Sequence, residues 1–347
     1  MENTLATIDL EKYIAQKRKK TKIFAHFCSY TPEEIIHAAG IIPVRIFGTN
    51  TVEKANTHLQ SYCCSYAKKV LEQGLTSEVD GSVFVHSCDT MQRLSDIWGE
   101  TIDEQFHDTV VFPVAMDRGF NYLVKELQRF KTNLEEYAGE IPEDALEESI
   151  KIYNRNRQLL QELYEKRKAG HIPAVTVDHV MKASMTMEKE EHTTLLIKFL
   201  EDIELQEPSH PRLLITGSVI LDPEILSIIE EYGTTGYDDL CIGSRYLEPV
   251  KEFSLKGIAQ RYQEMWCPCR ATNSSRTDYL TEKCKEYSIN GVVLLLQKFC
   301  EPHFFEAVHI KNELKEKGYS CLLLELQDQP LEQLRTRIQA FCEMLEG

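Results

Sequence analysis

The chain has 347 residues, 42% of them hydrophobic and 27% charged, and 39 Lys and Arg against 55 Asp and Glu give a formal net charge of −16. These proportions are ordinary for a soluble globular protein of roughly two domains, and they exclude a mainly disordered chain. The acidic balance argues against a nucleic-acid binder and against a polybasic membrane-surface protein, because both need a basic face.

No segment of the sequence is apolar for long enough to cross a bilayer. The longest apolar runs, such as Val292–Leu296, are far shorter than the about 20 residues that a membrane helix needs. The segment from Met1 to Lys20 is charged and amphipathic, without the hydrophobic stretch that is typical of a signal peptide. We therefore expect a cytoplasmic protein.

Residues 1–120 predict an α/β domain. Pro32–Ala39 is a predicted helix, with Thr31 as its N-cap, Pro at its first position and Gly40 at its end. Ser65–Gln73 is a second predicted helix. The predicted strands are Lys22–Phe27, Ile41–Phe47, Gly81–His86 and Thr109–Val114. Strands that alternate with helices in this way indicate a parallel sheet built from βαβ units.

Residues 121–207 predict a helical segment. Apolar residues recur at helical spacing, for example at Ile152, Leu159 and Leu163, which is typical of helix packing. The predicted helices are Tyr122–Tyr137, Glu143–Arg167 and Thr176–Leu205.

Residues 208–347 predict a second α/β domain, which follows a proline-containing linker at Glu207–Pro211. The predicted strands are Arg212–Thr216, Gly291–Leu296 and Ser320–Leu324, and the predicted helices are Pro223–Glu231 and Leu331–Leu345. The fold class that we expect is α/β, with two Rossmann- or flavodoxin-like parallel-sheet domains joined by the helical segment.

The two α/β halves resemble each other in sequence pattern. Phe24–Gly40 and Leu213–Gly233 each run from an apolar strand through a loop and Pro-Glu into a helix that ends at Gly. Asp80–Thr90 and Asn290–His303 each place Cys just past an apolar strand that follows Gly. We interpret the halves as a duplication facing each other across a cleft; chance similarity of two α/β units is the alternative.

Cysteine is the unusual residue of this chain, since there are 11 of them and a reducing compartment disfavours disulfides. Cys28, Cys88 and Cys300 each follow a predicted strand, Cys64 begins a predicted helix, and Cys241 follows a short strand-like segment. Ligands of open α/β sheets bind beyond the carboxyl ends of the strands. Helix N-termini there also favour the thiolate, which is the form that ligates metals.

Cysteine spacing by itself is a weak signal. The sequence has no C-x2-C-x2-C run of ferredoxin type and no C-x2-C pair of zinc-site type, and Cys267-Pro268-Cys269 is only suggestive. Burial as an apolar thiol is the alternative for each cysteine, and it fits Cys321 and Cys342 best.

Other motifs are mostly negative. No phosphate-binding, dinucleotide-binding, nucleophile-elbow or H-E-x-x-H motif is present, so we expect no ATP or dinucleotide site of the usual kinds. Asp238-Asp239 and the pair Arg335 and Arg337 are candidates for orienting a substrate or binding phosphate, with a loop turn and a solvated helix face as the alternatives. His86, before Cys88, fits a structural role better than a catalytic one.

Six stretches of the sequence resemble the 2-hydroxyacyl-CoA dehydratase and benzoyl-CoA reductase family, and specifically the β-subunit of the dehydratase D-component. They are FCSYTPEEIIHAAGIIPVR, YCCSYAKKVLE, DGSVFVHSCDTMQRLSDIW, DDLCIGSRY, INGVVLLLQKFCEPH and QLRTRIQAFCEML. They follow the family order from about residue 24 to residue 345. Taken together they are specific, although no single stretch would be.

The resemblance implies a [4Fe-4S] cluster that is held by Cys64, Cys88 and Cys300, with Cys63 as a competing neighbour. It also implies a homologous second subunit, in a hetero- or homodimer, and a separate ATP-dependent iron–sulfur activator that donates one electron. The implied reaction removes water from a 2-hydroxyacyl-CoA through a ketyl radical, with iron acting as a Lewis acid. The product is an enoyl-CoA.

Three other functions remain open from the sequence. Related double-cubane proteins hold an [8Fe-9S] cluster with six cysteines, which Cys28, Cys241 and one of Cys267 and Cys269 would complete here; such a chain would be an ATP-driven reductase of small molecules. Another alternative is a non-catalytic partner subunit, whose cluster, if any, only relays electrons or stabilises the fold. A zinc-stabilised binding protein is the last alternative, and the ligand spacing disfavours it.

Overall fold

A computed structural model describes residues 5, 8–115, 118–270, 275–326 and 330–347. Residues 1–4 and 6–7 of the segment in which we expect no signal peptide therefore lie outside the described residues. The strands are β1 (Ile23–His26), β2 (Ile42–Arg45), β3 (Gly81–His86), β4 (Phe106–Val111), β5 (Arg212–Gly217), β6 (Thr234–Asp239), β7 (Gly291–Gln297) and β8 (Ser320–Leu326).

The α-helices of the first half alternate with its strands, whereas those of the central segment follow one another without a strand between them. They are α1 (Leu10–Lys17), α2 (Glu33–Ala38), α3 (Ser65–Gly74), α4 (Asp89–Thr101), α5 (Phe120–Ala138), α6 (Glu143–Ala169), α7 (Ala174–Thr186) and α8 (Lys189–Asp202). Those of the second half are α9 (Glu224–Glu230), α10 (Leu255–Glu264), α11 (Ser275–Glu286), α12 (Glu301–Glu316) and α13 (Leu331–Glu346). None of the helices in the described part of the chain is long and apolar enough to span a membrane.

The strands form two four-stranded parallel sheets with the same topology. The order is β2-β1-β3-β4 in the first sheet and β6-β5-β7-β8 in the second. The segments compared in the sequence occupy equivalent places, since β1 corresponds to β5 and β3 to β7. The α/β fold class with two related parallel sheets is confirmed.

Apolar side chains cover both faces of the first sheet. One face packs α1, α3 and α4 around Trp98, and the other packs α2 and α5 around Phe24 and Phe130. The second sheet shares a core with α7, α8 and the C-terminal half of α6. A stretch of the second half, from Val250 to Met265, returns to pack on the core of the first sheet. The chain therefore crosses between the two halves three times, because it returns to the second sheet for β7 and β8.

The predicted cap of α2 is wrong. The helix begins at Glu33 after Pro32, no side chain caps it, and the hydroxyl of Thr31 is buried without a partner among the described residues. The main chain of Thr31 instead closes a turn with the carbonyl of Cys28 at 3.0 Å and accepts the Tyr262 hydroxyl at 2.6 Å. The predicted end is confirmed, because Gly40 has a φ of +73° and donates to the carbonyl of His37.

The prediction of one helix over Thr176–Leu205 is also wrong, because the chain breaks between α7 and α8. Met187 is extended, and the backbone N–H of Glu188 donates to the Tyr13 hydroxyl at 2.8 Å. Lys189 turns back to donate to the carbonyl of Ser184. Contacts with the distant helix α1 thus replace the hydrogen bonds that would continue the helix.

Strand β6 extends beyond the short strand-like segment expected before Cys241, and β4 begins and ends three residues earlier than predicted. The sequence of β6 is TTGYDD, which lacks the apolar run of a buried parallel strand, yet all six residues are buried. Its two aspartates are tolerated in the interior because arginines pair with them. The sequence patterns did not predict helices α1, α4, α10, α11 and α12.

Candidate functional site

A cavity of about 90 Å³ lies where the carboxyl ends of the two sheets meet. Seven cysteines from both halves of the chain line it, and we call it the cysteine cavity. They are Cys28, Cys64, Cys88, Cys241, Cys267, Cys269 and Cys300. Its accessible surface is almost entirely apolar. The three cysteines implied as ligands are in this wall, and so are the four that were considered only for the larger cluster; the competing neighbour Cys63 is not.

The three cysteines predicted to hold a cluster share one structural role. Cys64 precedes α3, Cys88 precedes α4 and Cys300 precedes α12, so each is the N-cap residue of a helix. Besides the contact with Cys300, the backbone N–H groups of Tyr66 and Ala67 in the first turn of α3 lower the pKa of the Cys64 thiol. Such donors stabilise a thiolate. The sequence placed these residues correctly because strand ends and helix starts are local features.

The other four thiols reach the cavity from loops. Cys28 lies two residues after β1 and Cys241 two residues after β6. Cys267 and Cys269 lie in a turn after α10, where the N–H of Arg270 donates to the carbonyl of Cys267 at 3.0 Å. That turn reaches the cavity because the stretch from Val250 to Met265 packs on the first sheet.

Neighbouring thiols of the cavity shift one another's pKa in opposite directions. A hydrogen bond from Cys300 lowers the pKa of Cys64, and the same contact raises the pKa of Cys300. Cys269 likewise contacts Cys88 and Cys267; it lowers the pKa of Cys88 and brings the pKa of Cys267 to about 6, while its own pKa rises. Cys64, Cys88 and Cys267 are thereby favoured as thiolates. The first two belong to the first half of the chain and the third to the second half.

Burial acts in the opposite direction on the remaining thiols of the cavity. It raises the pKa of Cys28 to about 11 and also raises the pKa of Cys241, although Arg45 opposes the rise for both. Outside the cavity, burial raises the pKa of Cys63 to about 11. Cys63 does not line the cavity even though it adjoins Cys64.

Two buried arginines lie in the cavity wall, and sequence reasoning identified neither. Arg245 pairs with Asp239 at 2.8 Å and donates to the sulfur of Cys241 at 3.8 Å. Arg45, the last residue of β2, donates to the hydroxyl of Ser29 at 2.8 Å. A signal existed for both, because each ends or lies within a stretch that carried the family resemblance, IIPVR and DDLCIGSRY.

Sequence reasoning missed His303 as well. It lies three residues after Cys300, and its Nδ1 is 3.2 Å from the Cys300 sulfur. Burial lowers its pKa well below the usual value, so the imidazole is neutral. Its Nε2 is buried and has no hydrogen-bond partner among the described residues. The C-E-P-H spacing was visible in the sequence, but only the helix start places this ring beside the sulfur.

The charged residues singled out from the sequence have structural partners instead. Asp238 pairs with Arg167 of α6 at 2.7 Å, and Asp239 pairs with Arg245 of the cavity wall and with Arg276. Arg335 pairs with Glu231 at the surface, and Arg337 donates to a main-chain carbonyl. The loop turn that was the alternative for Asp238-Asp239 is wrong, because both residues lie in the buried strand β6. Arg335 and Arg337 lie on a face of α13, as their alternative expected.

The described residues contain no group of three or more His, Cys, Asp or Glu side chains drawn together tightly enough to chelate a single metal ion. The seven thiols are spread around the cavity; Cys64 interacts with Cys300, and Cys269 interacts with Cys88 and Cys267. This arrangement differs from the closed four-ligand set of a structural zinc site.

Comparisons with known proteins identify the relatives of this chain. A model of the family described as 2-hydroxyglutaryl-CoA dehydratase, D-component, matches residues 28–345. The chain is 32% identical to the beta subunit of lactoyl-CoA dehydratase from Anaerotignum propionicum, over 91% of this chain and 90% of that protein. It is 29% identical to the beta subunit of (R)-phenyllactyl-CoA dehydratase from Clostridium sporogenes, over 96% and 95%. It is also 29% identical to one of the subunits of benzoyl-CoA reductase from Thauera aromatica, over 85% and 83%.

Proposed function

The chain belongs to the 2-hydroxyglutaryl-CoA dehydratase D-component family, and from this premise we propose that it is the iron–sulfur subunit of a 2-hydroxyacyl-CoA dehydratase-type enzyme. Its relatives are named as subunits of acyl-CoA dehydratases and of a benzoyl-CoA reductase, so a component of one of these two enzyme types is the coarser conclusion. The single observation that carries the proposal is the convergence of seven thiols from both sheets on one cavity.

The residues of the cavity fit an iron–sulfur cluster by their chemistry. Such clusters are held by cysteine thiolates, and Cys64, Cys88 and Cys300 each sit at the N-terminus of a helix, where backbone N–H groups favour negative charge. The pKa of the Cys64 and Cys88 thiols is lowered, whereas the contact with Cys64 raises the pKa of Cys300. We assign these three as the ligands of a [4Fe-4S] cluster. When bound, the cluster would supply a one-electron reductant and a Lewis-acidic iron.

The protein around the cavity would protect this chemistry. The almost wholly apolar wall, to which Phe27 and Met91 belong, keeps bulk water away from the thiolates. Arg45 and Arg245 place fixed positive charge beside the sulfurs, which stabilises an anionic group in a medium of low polarity. His303 holds a neutral ring next to Cys300.

The proposal also requires partners. The relatives are each named as one subunit of a larger enzyme, which supports a homologous second subunit in the active protein. The sequence carries no nucleotide-binding motif of the usual kinds, so we propose that ATP is hydrolysed by a separate iron–sulfur activator that delivers the electron. The substrate is then an acyl-CoA, and the active protein is cytoplasmic.

Metal analysis of single variants tests the ligand assignment. We expect anaerobically reconstituted protein to contain about four iron and four sulfide per chain, and Cys64→Ser, Cys88→Ser and Cys300→Ser each to lose most of both. Cys321→Ser is the matched control, because Cys321 is half-buried outside the cavity. Full iron content in each of the three variants, or equal loss in the control, would show that the assignment is wrong.

A second candidate is an ATP-driven reductase with an [8Fe-9S] double-cubane cluster. The observation in its favour is that Cys28, Cys241, Cys267 and Cys269 line the same cavity as the three assigned ligands, which is more thiols than one cubane uses. The iron count separates the two candidates, at about eight per chain against about four. In the second case Cys241→Ser would lower the iron content, whereas in the first it would leave the content unchanged.

A further inference from the structure

Arg45 is a buried cation whose charge has no carboxylate partner in the described part of the chain. Its side chain is 1% exposed and lies in the wall of the cysteine cavity. One guanidinium nitrogen donates to the Ser29 hydroxyl at 2.8 Å and to the Met185 sulfur at 3.1 Å. The other donates to the carbonyl of Phe27 at 3.5 Å, and Nε has no hydrogen-bond partner among the described residues.

The other buried cations near the two sheets are mostly neutralised. Arg157 pairs with Glu34, Arg167 with Asp238, Lys189 with Glu33, and both Arg245 and Arg276 with Asp239. Two further buried arginines, Arg261 and Arg270, also form no ion pair with a described carboxylate and donate to main-chain carbonyls. Neither of them lines the cavity.

A buried charge without a partner is costly, so a site that keeps one is organised to meet an opposite charge. The ionisable groups within electrostatic reach of Arg45 are the Tyr66 hydroxyl and the thiols of Cys241 and Cys28, all of which line the cavity. Ser29 links the cation to this region, because its hydroxyl accepts from Arg45 and donates to the carbonyl of Cys241. The positive charge is thus fixed at the boundary between the two halves.

We propose that Arg45 is the counter-charge of the thiolate-bound iron–sulfur group and sets its reduction potential. The inference rests on the proposed function. One electron from an external low-potential donor adds one negative charge to the group, and no bond forms or breaks at Arg45. The fixed cation stabilises the reduced form more than the oxidised form, so the potential is higher than it would be without Arg45. Arg45 therefore acts through its fixed positive charge and takes no part in bond making or breaking, which makes it a positioning residue.

The test is an anaerobic redox titration of the reconstituted protein, with dithionite as the reductant and paramagnetic resonance as the readout. We expect Arg45→Gln to make reduction at least tenfold less favourable, a shift of about 59 mV to more negative potential for one electron. Arg45→Lys keeps the charge and should restore most of the shift. Arg261→Gln is the matched control and should leave the potential unchanged, because Arg261 is equally buried but away from the cavity.

An unshifted potential in Arg45→Gln, at wild-type iron content, would overturn the proposal while leaving the proposed function intact. An equal shift in Arg261→Gln would also overturn it, because the effect would then be a general loss of packing. Wild-type protein that takes up no iron and sulfide would instead refute the proposed function, and the counter-charge role with it. If Arg45→Gln does not fold, Arg45→Met removes the same charge with an apolar side chain of similar length.

Discussion

Asp239 holds together the charged part of the cavity wall, and its replacement by Asn should destabilise the protein strongly. Its carboxylate is fully buried and accepts from Arg245 at 2.8 and 3.0 Å, from Arg276 at 2.6 Å and from the Thr216 hydroxyl at 2.7 Å. Asp239→Asn keeps the shape of the side chain but leaves two buried guanidiniums facing a neutral amide that itself carries N–H donors. Breaking a buried ion pair from one side costs about 3–5 kcal/mol of unfolding free energy.

The sign of the pH dependence follows from the same contacts. Although burial alone would raise it, the pKa of Asp239 is lowered far below its usual value because Arg245 and Arg276 favour the carboxylate. The stabilisation is therefore complete above the unfolded-state pKa, near 3.8, and is lost as the pH falls below it. At neutral pH the wild type has the full contribution, and the variant lacks it.

Urea unfolding at neutral pH, followed by fluorescence of the two tryptophans, measures the change. Trp98 is buried in the core of the first half, and Trp266 stacks on Tyr279 of the second, so the signal covers both. Arg335→Gln is the control, because that ion pair is at the surface and should cost at most about 1 kcal/mol. If Asp239→Asn lowers the free energy of unfolding by less than about 1 kcal/mol, the argument that the ion pairs of Asp239 stabilise this region is refuted.

Two further predictions concern the core. Gly74→Ala should lower the free energy of unfolding by about 1–3 kcal/mol, because a Cβ at that position would lie 2.1 Å from the Trp98 ring. Gly139→Ala is the control for backbone strain, because a Cβ there would have open space around it. Equal losses of unfolding free energy in the two variants would contradict the packing argument. Burial lowers the pKa of His192 to about 3, so stability should fall by about 2–3 kcal/mol between pH 6.5 and 4.5, where the unfolded chain binds the proton first. Urea unfolding across that range should show a weaker pH dependence in His192→Asn, and an unchanged slope would exclude His192 as the cause.

Local patterns in the sequence were enough for the fold class and for part of the site. Apolar strands alternating with helices require a parallel sheet, and two such sets predicted the two sheets. Cys64 was predicted at a helix start and Cys88 and Cys300 just past strand ends, and all three positions are confirmed, because strand ends and helix starts are set by residues adjacent in the chain. The helices that begin after Cys88 and Cys300 were not predicted. Because parallel strands of one sheet end at the same edge, side chains that follow these strands lie along that edge.

Long-range contacts decided the rest. The polar strand β6 is buried because Arg167 pairs with Asp238 from 71 residues away, and no local pattern contains that pairing. Cys267 and Cys269 join the cavity only because the stretch from Val250 to Met265 packs back on the first sheet.

Whether a charged side chain is neutralised likewise depends on what the fold brings near it. Asp239 meets Arg276, which lies 37 residues away, whereas Arg45 meets thiols and a hydroxyl but no described carboxylate. A sequence determines which side chains stand at the end of each strand. Only the tertiary structure determines which charges those side chains face, because electrostatic pairing depends on distance in space and not on separation along the chain.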